Sequence, residues 1–423
     1  MIENKNFLSA YPGPEQLKAW NAGKEANIKL KVNNHIHTPY SFSAFSHVAQ
    51  AVTLAAKEGV NVLGINDFYV RDGYEEFATE CRKHRVFPLF NIEFIGLSKT
   101  DQSAGIRVND PGNPGRTYIS GKGLDFPASI SPGNRDKLEA MIRESQLQVE
   151  AMTVKLNSHI NQCGYDISVT MDELRSRHAK KLVRERHIAK ALRIKAAETF
   201  GTKREQVDFF TRIFNDTPPQ NDLQDTSAFE NEIRSRLLKA GGEAFVPEDE
   251  KAFLEIGEVR ELILDMGGIP TYPLLLDDKN GGFTNFESPK EVLAETLLER
   301  GFRSIELIPH RNSLKYLREY VEFFYQQGFI VSYGTEHNTP ELTPLTVKCR
   351  GNAVLDRNTA QIGNRGAAVV AAHQYLRARG ETGFLDANGN SEPAKRSELE
   401  QLGEAVIRYY LEADRLKPGT SNE

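Results

Sequence analysis

Between residues 28 and 95 one unit repeats: a short apolar run that ends in polar residues, followed by a segment of helical periodicity. Residues 28–32 alternate apolar and polar and lead into Asn33-Asn34-His35-Ile36-His37. Residues 46–58 have helical spacing, 62–65 form an apolar run ending at Asn66-Asp67, and 73–84 are again helical. Residues 87–95 form the next apolar run, interrupted by Glu93. This β-α-β-α-β order predicts an α/β fold with a parallel sheet or barrel, and places function at the carboxyl ends of the strands.

The rhythm changes at about Leu97. Residues 110–115 and Ser120-Gly121-Lys122-Gly123 carry the glycine and proline content of loops, and charged helical segments follow from 135 to 239. Strand and helix signals resume near 258, with strands expected at 269–273, 303–308 and 330–333 and helices at 289–300 and 314–327. Five segments result: a lead (1–27) with a helix at 14–21, a first barrel part (28–96), a mainly helical insertion (97–257), a second barrel part (258–350) and C-terminal helices (351–423) split by a polar loop at 386–392.

Composition narrows the classes of function. A net charge of -5 with both signs interspersed provides no broad basic field, so neither a stable nucleic-acid partner nor an anionic membrane is expected. Cys81, Cys163 and Cys349 are odd in number and form no CxxC pair, which points away from a disulfide framework and a thiolate zinc site and fits a reducing compartment. No apolar run of about 18 residues and no apolar leader is visible, so a cytoplasmic protein is expected.

Side chains alternate along a strand, so His35 and His37 share a face and can bite one metal ion. Two histidines at a strand end can equally serve as hydrogen-bonding caps. Company decides between these readings: Asp67, Glu93 and the pair Glu336-His337 also stand at strand ends, which converge in a barrel. A carboxylate inside an apolar strand is costly unless it is paired or binds a metal, which singles out Glu93.

These residues resemble the motifs of the polymerase and histidinol phosphatase (PHP) family. Its Asp-x-His-x-His-Thr motif corresponds to Asn33-Asn34-His35-Ile36-His37-Thr38, its Ile-Thr-Asp-His to Ile65-Asn66-Asp67-Phe68, and its strand-end glutamate to Glu93. Arg186-His187-Ile188-Ala189 resembles an Arg-Pro-His-Ile-Ala element of the helical insert in the nucleotide and oligonucleotide phosphoesterase branch. Gly267-Gly268-Ile269-Pro270-Thr271-Tyr272-Pro273 is similar to a Gly-Gly-x-x-x-His-Pro strand, and Gly334-Thr335-Glu336-His337-Asn338 to Gly-Ser-Asp-x-His. The resemblance implies a distorted (β/α)7-type barrel holding divalent metal, zinc, manganese or iron.

The family holds up to three ions, and one set of ligands is missing here. Phe42, Phe68 and Asn338 stand where a third ion would have its ligands, and aromatic carbon cannot coordinate a divalent cation. The resemblance implies one or two ions held by His35, His37, Glu93, His187 and Glu336, with Tyr272 at a position that is histidine in the family. Asp67, Tyr272 and His337 are the expected catalytic groups, as ligands, hydrogen-bond donors or orienting partners. Arg116, Lys122, Arg186, Arg311 and Lys348 are candidate counter-charges for a phosphate, the first two on loops expected to close over a small-molecule substrate. The function so implied is phosphoester hydrolysis by a metal-activated water, with a non-phosphate, sugar-derived substrate or a binding role as alternatives.

Overall fold

The computed structural model describes residues 6–22, 24, 29–278, 280–386 and 388–412. Seven strands pair in chain order: β1 (Val32–Ile36), β2 (Val62–Phe68), β3 (Phe87–Leu97), β4 (Arg116–Lys122), β5 (Ile269–Leu274), β6 (Ser304–Leu307) and β7 (Ile330–Tyr333). β1, β2 and β3 are parallel, as are β5, β6 and β7, whereas β4 runs antiparallel to both of its neighbours. The two edges meet beyond β7, where His37 N–H donates to the Glu336 carbonyl at 2.8 Å and Glu336 N–H to the His35 carbonyl at 2.9 Å. The sheet is thus a nearly closed α/β barrel.

Two boundaries differ from the sequence reading. β1 begins at Val32, and Ile28, where a strand start was expected, lies outside the described residues. The polar Asn33 and Asn34 belong to β1 because their buried side chains are bonded, Asn33 to Thr335 at 2.6 Å and Asn34 to Asn91 at 2.9 Å. Ser120-Gly121-Lys122, expected in a loop, closes β4. Its glycines answer packing: a Cβ on Gly121 would lie 2.8 Å from Ile263, and Gly123 turns the chain at φ 69°.

Because β4 is reversed, it ends at the foot of the barrel, opposite the carboxyl ends of the parallel strands. The helix Pro132–Gln162 starts near that foot, where the Ser131 N–H donates to Asp265 at 2.8 Å. Its 31 residues span about 46 Å, enough to carry the chain to the mouth. There Glu185–Thr199, Lys203–Ile213 and Thr226–Ile233 pack around an apolar cluster of their own that includes Leu156, Ile188, Leu192, Phe209 and Phe229. Leu97 N–H bonds to the Leu254 carbonyl at 2.9 Å where the chain rejoins the barrel.

The helices Arg357–Ala378 and Arg396–Glu412 cover the foot. They share a cluster with Val62, Phe87, Ile269 and Ile330, the first residues of β2, β3, β5 and β7. Close approach depends on missing side chains, since a Cβ on Gly366 would stand 1.9 Å from the Val331 carbonyl oxygen. Among the described residues no helix is long and apolar enough to cross a membrane.

Candidate metal centre

His35, in β1, and His37, just past its end, turn their Nε2 atoms toward each other at 3.3 Å. Glu93 Oε2 on β3 stands 3.3 Å from His37 Nε2 and 3.9 Å from His35 Nε2. All three side chains are buried, and their ligand atoms lie within 4.8 Å of one another. Metal–nitrogen bonds of about 2.0–2.1 Å at tetrahedral angles place ligand atoms roughly 3.4 Å apart. The donor set therefore fits a divalent ion. Burial, reinforced by the charges of Glu336 and Glu306, pushes Glu93 up to about 8, so a carboxylate here calls for a cation.

The outer nitrogens of both imidazoles are anchored. His35 Nδ1 donates to Glu306 Oε2 on β6 at 2.9 Å. Glu306 also accepts from Ser120 at 3.0 Å and forms an ion pair with Lys122 Nζ at 2.5 Å. Burial alone would raise Glu306, but His35 and Lys122 hold it at about 2, a fixed negative charge. His37 Nδ1 meets Ser41 Oγ at 3.3 Å, and Ser41 donates to Asp67 Oδ1 at 2.6 Å. Asp67 also accepts from the Thr38 N–H at 2.7 Å and from the Thr38 hydroxyl. Such partners fix the tautomer and turn each Nε2 toward the common point, where the Asn66 amide nitrogen lies 3.0 Å from His35 Nε2 and has to give way to an ion. Burial holds His37 down at about 4, so it is neutral at pH 7.

The aromatic residues at the missing third set of ligands form a box around His37. Phe42 stacks on its ring at 5.4 Å and Phe68 at 5.1 Å, with interplanar angles of 12° and 18°. Arg184 lies over Phe68 at 5.1 Å and Arg186 over Phe42 at 5.4 Å. Both arginines line a cavity of about 360 Å³ that also contains His35, Glu93, Glu306 and Glu336. Arg116, Arg234, Arg311 and Lys239 are in the same wall, the three arginines paired with Glu248, Glu185 and Glu336. Arg184 and Arg234 were missed in the sequence; the available signal was the position of Arg184 immediately before Glu185-Arg186-His187, at the start of a helix that could face the barrel mouth.

Several expected site residues have other positions. Tyr272 is opposite Ile305 in the β5–β6 register, whereas Pro273 is opposite Glu306; Tyr272 therefore faces away from the centre. Its ring packs against Phe286 and Phe302, and its hydroxyl donates to Glu287 at 2.9 Å. His337 is held between Thr335 at 2.8 Å and the Thr343 carbonyl at 2.8 Å and stacks on Phe45, so its backbone turn, with φ 56°, directs the ring away from the cluster. His187 is outside the three-ligand cluster, because its Nδ1 accepts the Arg184 N–H at 2.9 Å and caps its own helix.

Glu336 lines the cavity but its carboxylate is paired with Arg311. Arg116 is the first residue of β4 and pairs with Glu248 at 2.5 Å. Lys122 is fully buried within the barrel, bonded to Asn66 Oδ1 and the Asn34 carbonyl at 3.2 Å each, which removes it from any loop over a substrate. Lys348 lines neither this cavity nor its neighbour. Arg186 and Arg311 are in the cavity wall, as a substrate-binding role requires.

Fold and site together define an α/β barrel with a candidate metal centre at the carboxyl ends of its strands. No family model and no curated protein matches the chain. Among solved structures, a crystal structure from Bifidobacterium adolescentis, provisionally described as a metal-dependent phosphoesterase, shares the fold with a TM-score of 0.52 and 14% identity, over 78% of this chain and 94% of that one. A structure of an amidohydrolase from Chromobacterium violaceum gives a TM-score of 0.48 and 16% identity, over 76% and 93%. At such identities the likeness to the first is one of fold.

Proposed function

We propose that this protein is a metal-dependent hydrolase that cleaves a phosphate ester of a small molecule. The observation that carries the reading is the convergence of two anchored imidazoles and a buried carboxylate on one point. A divalent ion bound there, zinc, manganese or iron by its nitrogen and carboxylate donors, supplies Lewis-acid polarisation of a substrate oxygen and lowers the pKa of water. His35, His37 and Glu93 are the proposed ligands, and Asp67 and Glu306 orient the two imidazoles. Glu336 lines the same cavity, with its carboxylate paired to Arg311.

The protein's own part is to hold an anion beside that point. Arg184 and Arg186 are fixed over phenyl rings, and a guanidinium fork matches phosphate oxygens in pairs. A cavity of about 360 Å³ suits a small metabolite or nucleotide. The description of the Bifidobacterium adolescentis structure as a metal-dependent phosphoesterase supports this reading.

A second reading, hydrolysis or isomerisation of a non-phosphate, sugar-derived substrate, is favoured by the aromatic box where a third ion would otherwise have its ligands. Elemental analysis of protein purified without chelator, followed by a phosphatase panel, tests both. About one equivalent of transition metal with phosphatase activity supports the first. Metal without phosphatase activity favours the second, and a protein that takes up no metal refutes the hydrolase.

A further inference from the structure

Beside the metal cavity lies a second one of about 420 Å³ that shares Phe42 and Arg186 with it. One wall is the helix Glu185–Thr199, which presents Arg186, Lys190 and Arg193 at i, i+4 and i+7, a single stripe. The opposite rim carries Arg177 and Lys180. Arg193 is neutralised by Glu230 at 2.8 Å and Lys180 by Glu76 at 2.8 Å. Arg177, Arg186 and Lys190 have no carboxylate within ion-pair distance among the described residues, where Arg186 bonds only the Asn231 amide, at 3.0 Å.

A neutral donor lies in the same wall. His187 lines this cavity and is 6% exposed. Its Nδ1 accepts the Arg184 N–H, so Nε2 carries the ring proton, and among the described residues that N–H has no acceptor. Burial keeps the ring neutral, with a pKa of about 3, so it acts here as a donor and not as a charge. Like charges along a helix repel each other; an anion in the cavity relieves that repulsion and gives the His187 N–H an acceptor.

We propose that this cavity is a second anion site, separate from the metal centre, that takes a phosphate-class oxyanion between Arg177, Arg186 and Lys190 with His187 Nε2–H as a fourth donor. The oxyanion is either the far end of a substrate that also reaches the metal centre past Arg186, or part of a separate phosphorylated effector. The site itself does not depend on the hydrolase reading.

Calorimetric titration of the full chain with inorganic phosphate tests the proposal. In a His35→Ala background, which removes the metal centre, one phosphate site is expected to remain. Adding Arg177→Ala and Lys190→Ala, both at exposed positions, is expected to weaken it roughly tenfold or more. His187→Ala alone is expected to weaken phosphate binding and keep its full metal content. No binding in the His35→Ala background, unchanged binding in the triple variant, or loss of metal in His187→Ala would each overturn the proposal. In the metal-loaded enzyme, a raised KM for a phosphorylated substrate in Arg177→Ala/Lys190→Ala identifies the anion as the substrate's own; an unchanged KM with kcat altered by free phosphate in the wild type alone identifies an effector.

Discussion

His35 and Lys122 do not touch, yet both hold the Glu306 carboxylate, His35 at Oε2 and Lys122 at Oε1. A fully buried lysine thus fixes the charge of the residue that orients a metal-facing imidazole. Glu306→Gln keeps the shape and removes the charge. It is expected to lower metal affinity about 10–100-fold, measured by competition with a chromophoric chelator. Unchanged affinity would show that Glu306 does not tune His35.

Lys122→Met is expected to destabilise the fold by about 3–5 kcal/mol, because Glu306 and Asn66 lose a buried partner in an interior that cannot solvate the remaining charge. The double variant Lys122→Met/Glu306→Gln is expected to recover much of that loss. Urea unfolding of the single and double variants gives the coupling directly.

Tyr272→Phe separates the structural placement from the ligand role that the sequence suggests. Removing the hydroxyl takes one of two donors from Glu287 Oε1, which keeps the Leu275 N–H, a cost of about 0.5–1.5 kcal/mol in unfolding experiments. Metal content and activity are expected to remain at the wild-type level. A drop in bound metal would mean that Tyr272 reaches the centre after all.

Burial raises Glu287 from 4.5 to about 7, against the pull of the Leu275 and Leu276 N–H groups and the Tyr272 hydroxyl. Its folded state therefore keeps a proton that the unfolded chain has lost between these values. The stability so contributed is fully present below about 4.5, declines as pH rises toward 7 and is gone above it. Glu287→Gln is expected to flatten that part of the stability–pH curve, and an unchanged slope would assign it to other groups.

The barrel was legible from the β-α-β-α-β order of residues 28–95, and its candidate site from His35 and His37 at a polar strand end and from Glu93, which interrupts an apolar run and there requires a partner. β4 was not legible, because Ser120-Gly121-Lys122-Gly123 has the composition of a loop, and only Ile263 packed against Gly121 explains the missing side chain. Tyr272 shows the limit of motif matching. One residue of strand register decides which side of the sheet a side chain occupies, and the motif fixes order but not facing. His187 and His337 are of a type that can bind metal, but each ring is held by a local backbone or hydroxyl partner that no spacing rule shows.

The helices at the mouth pack around their own apolar cluster and are tied to the barrel where the chain leaves after β4 and rejoins before β5, and at Pro39 and Tyr40, whose carbonyls accept from the Lys180 and Leu182 N–H groups. Arg184, Arg186 and Arg234 belong to those helices, whereas His35, His37 and Glu93 belong to the barrel. The candidate anion-binding and metal-binding groups therefore sit on separately packed parts of one chain. On the proposed function, mutational drift in the arginine-bearing helices would change what is bound without unseating the candidate ligands, so homologues with the same His-His-Glu cluster need not share a substrate.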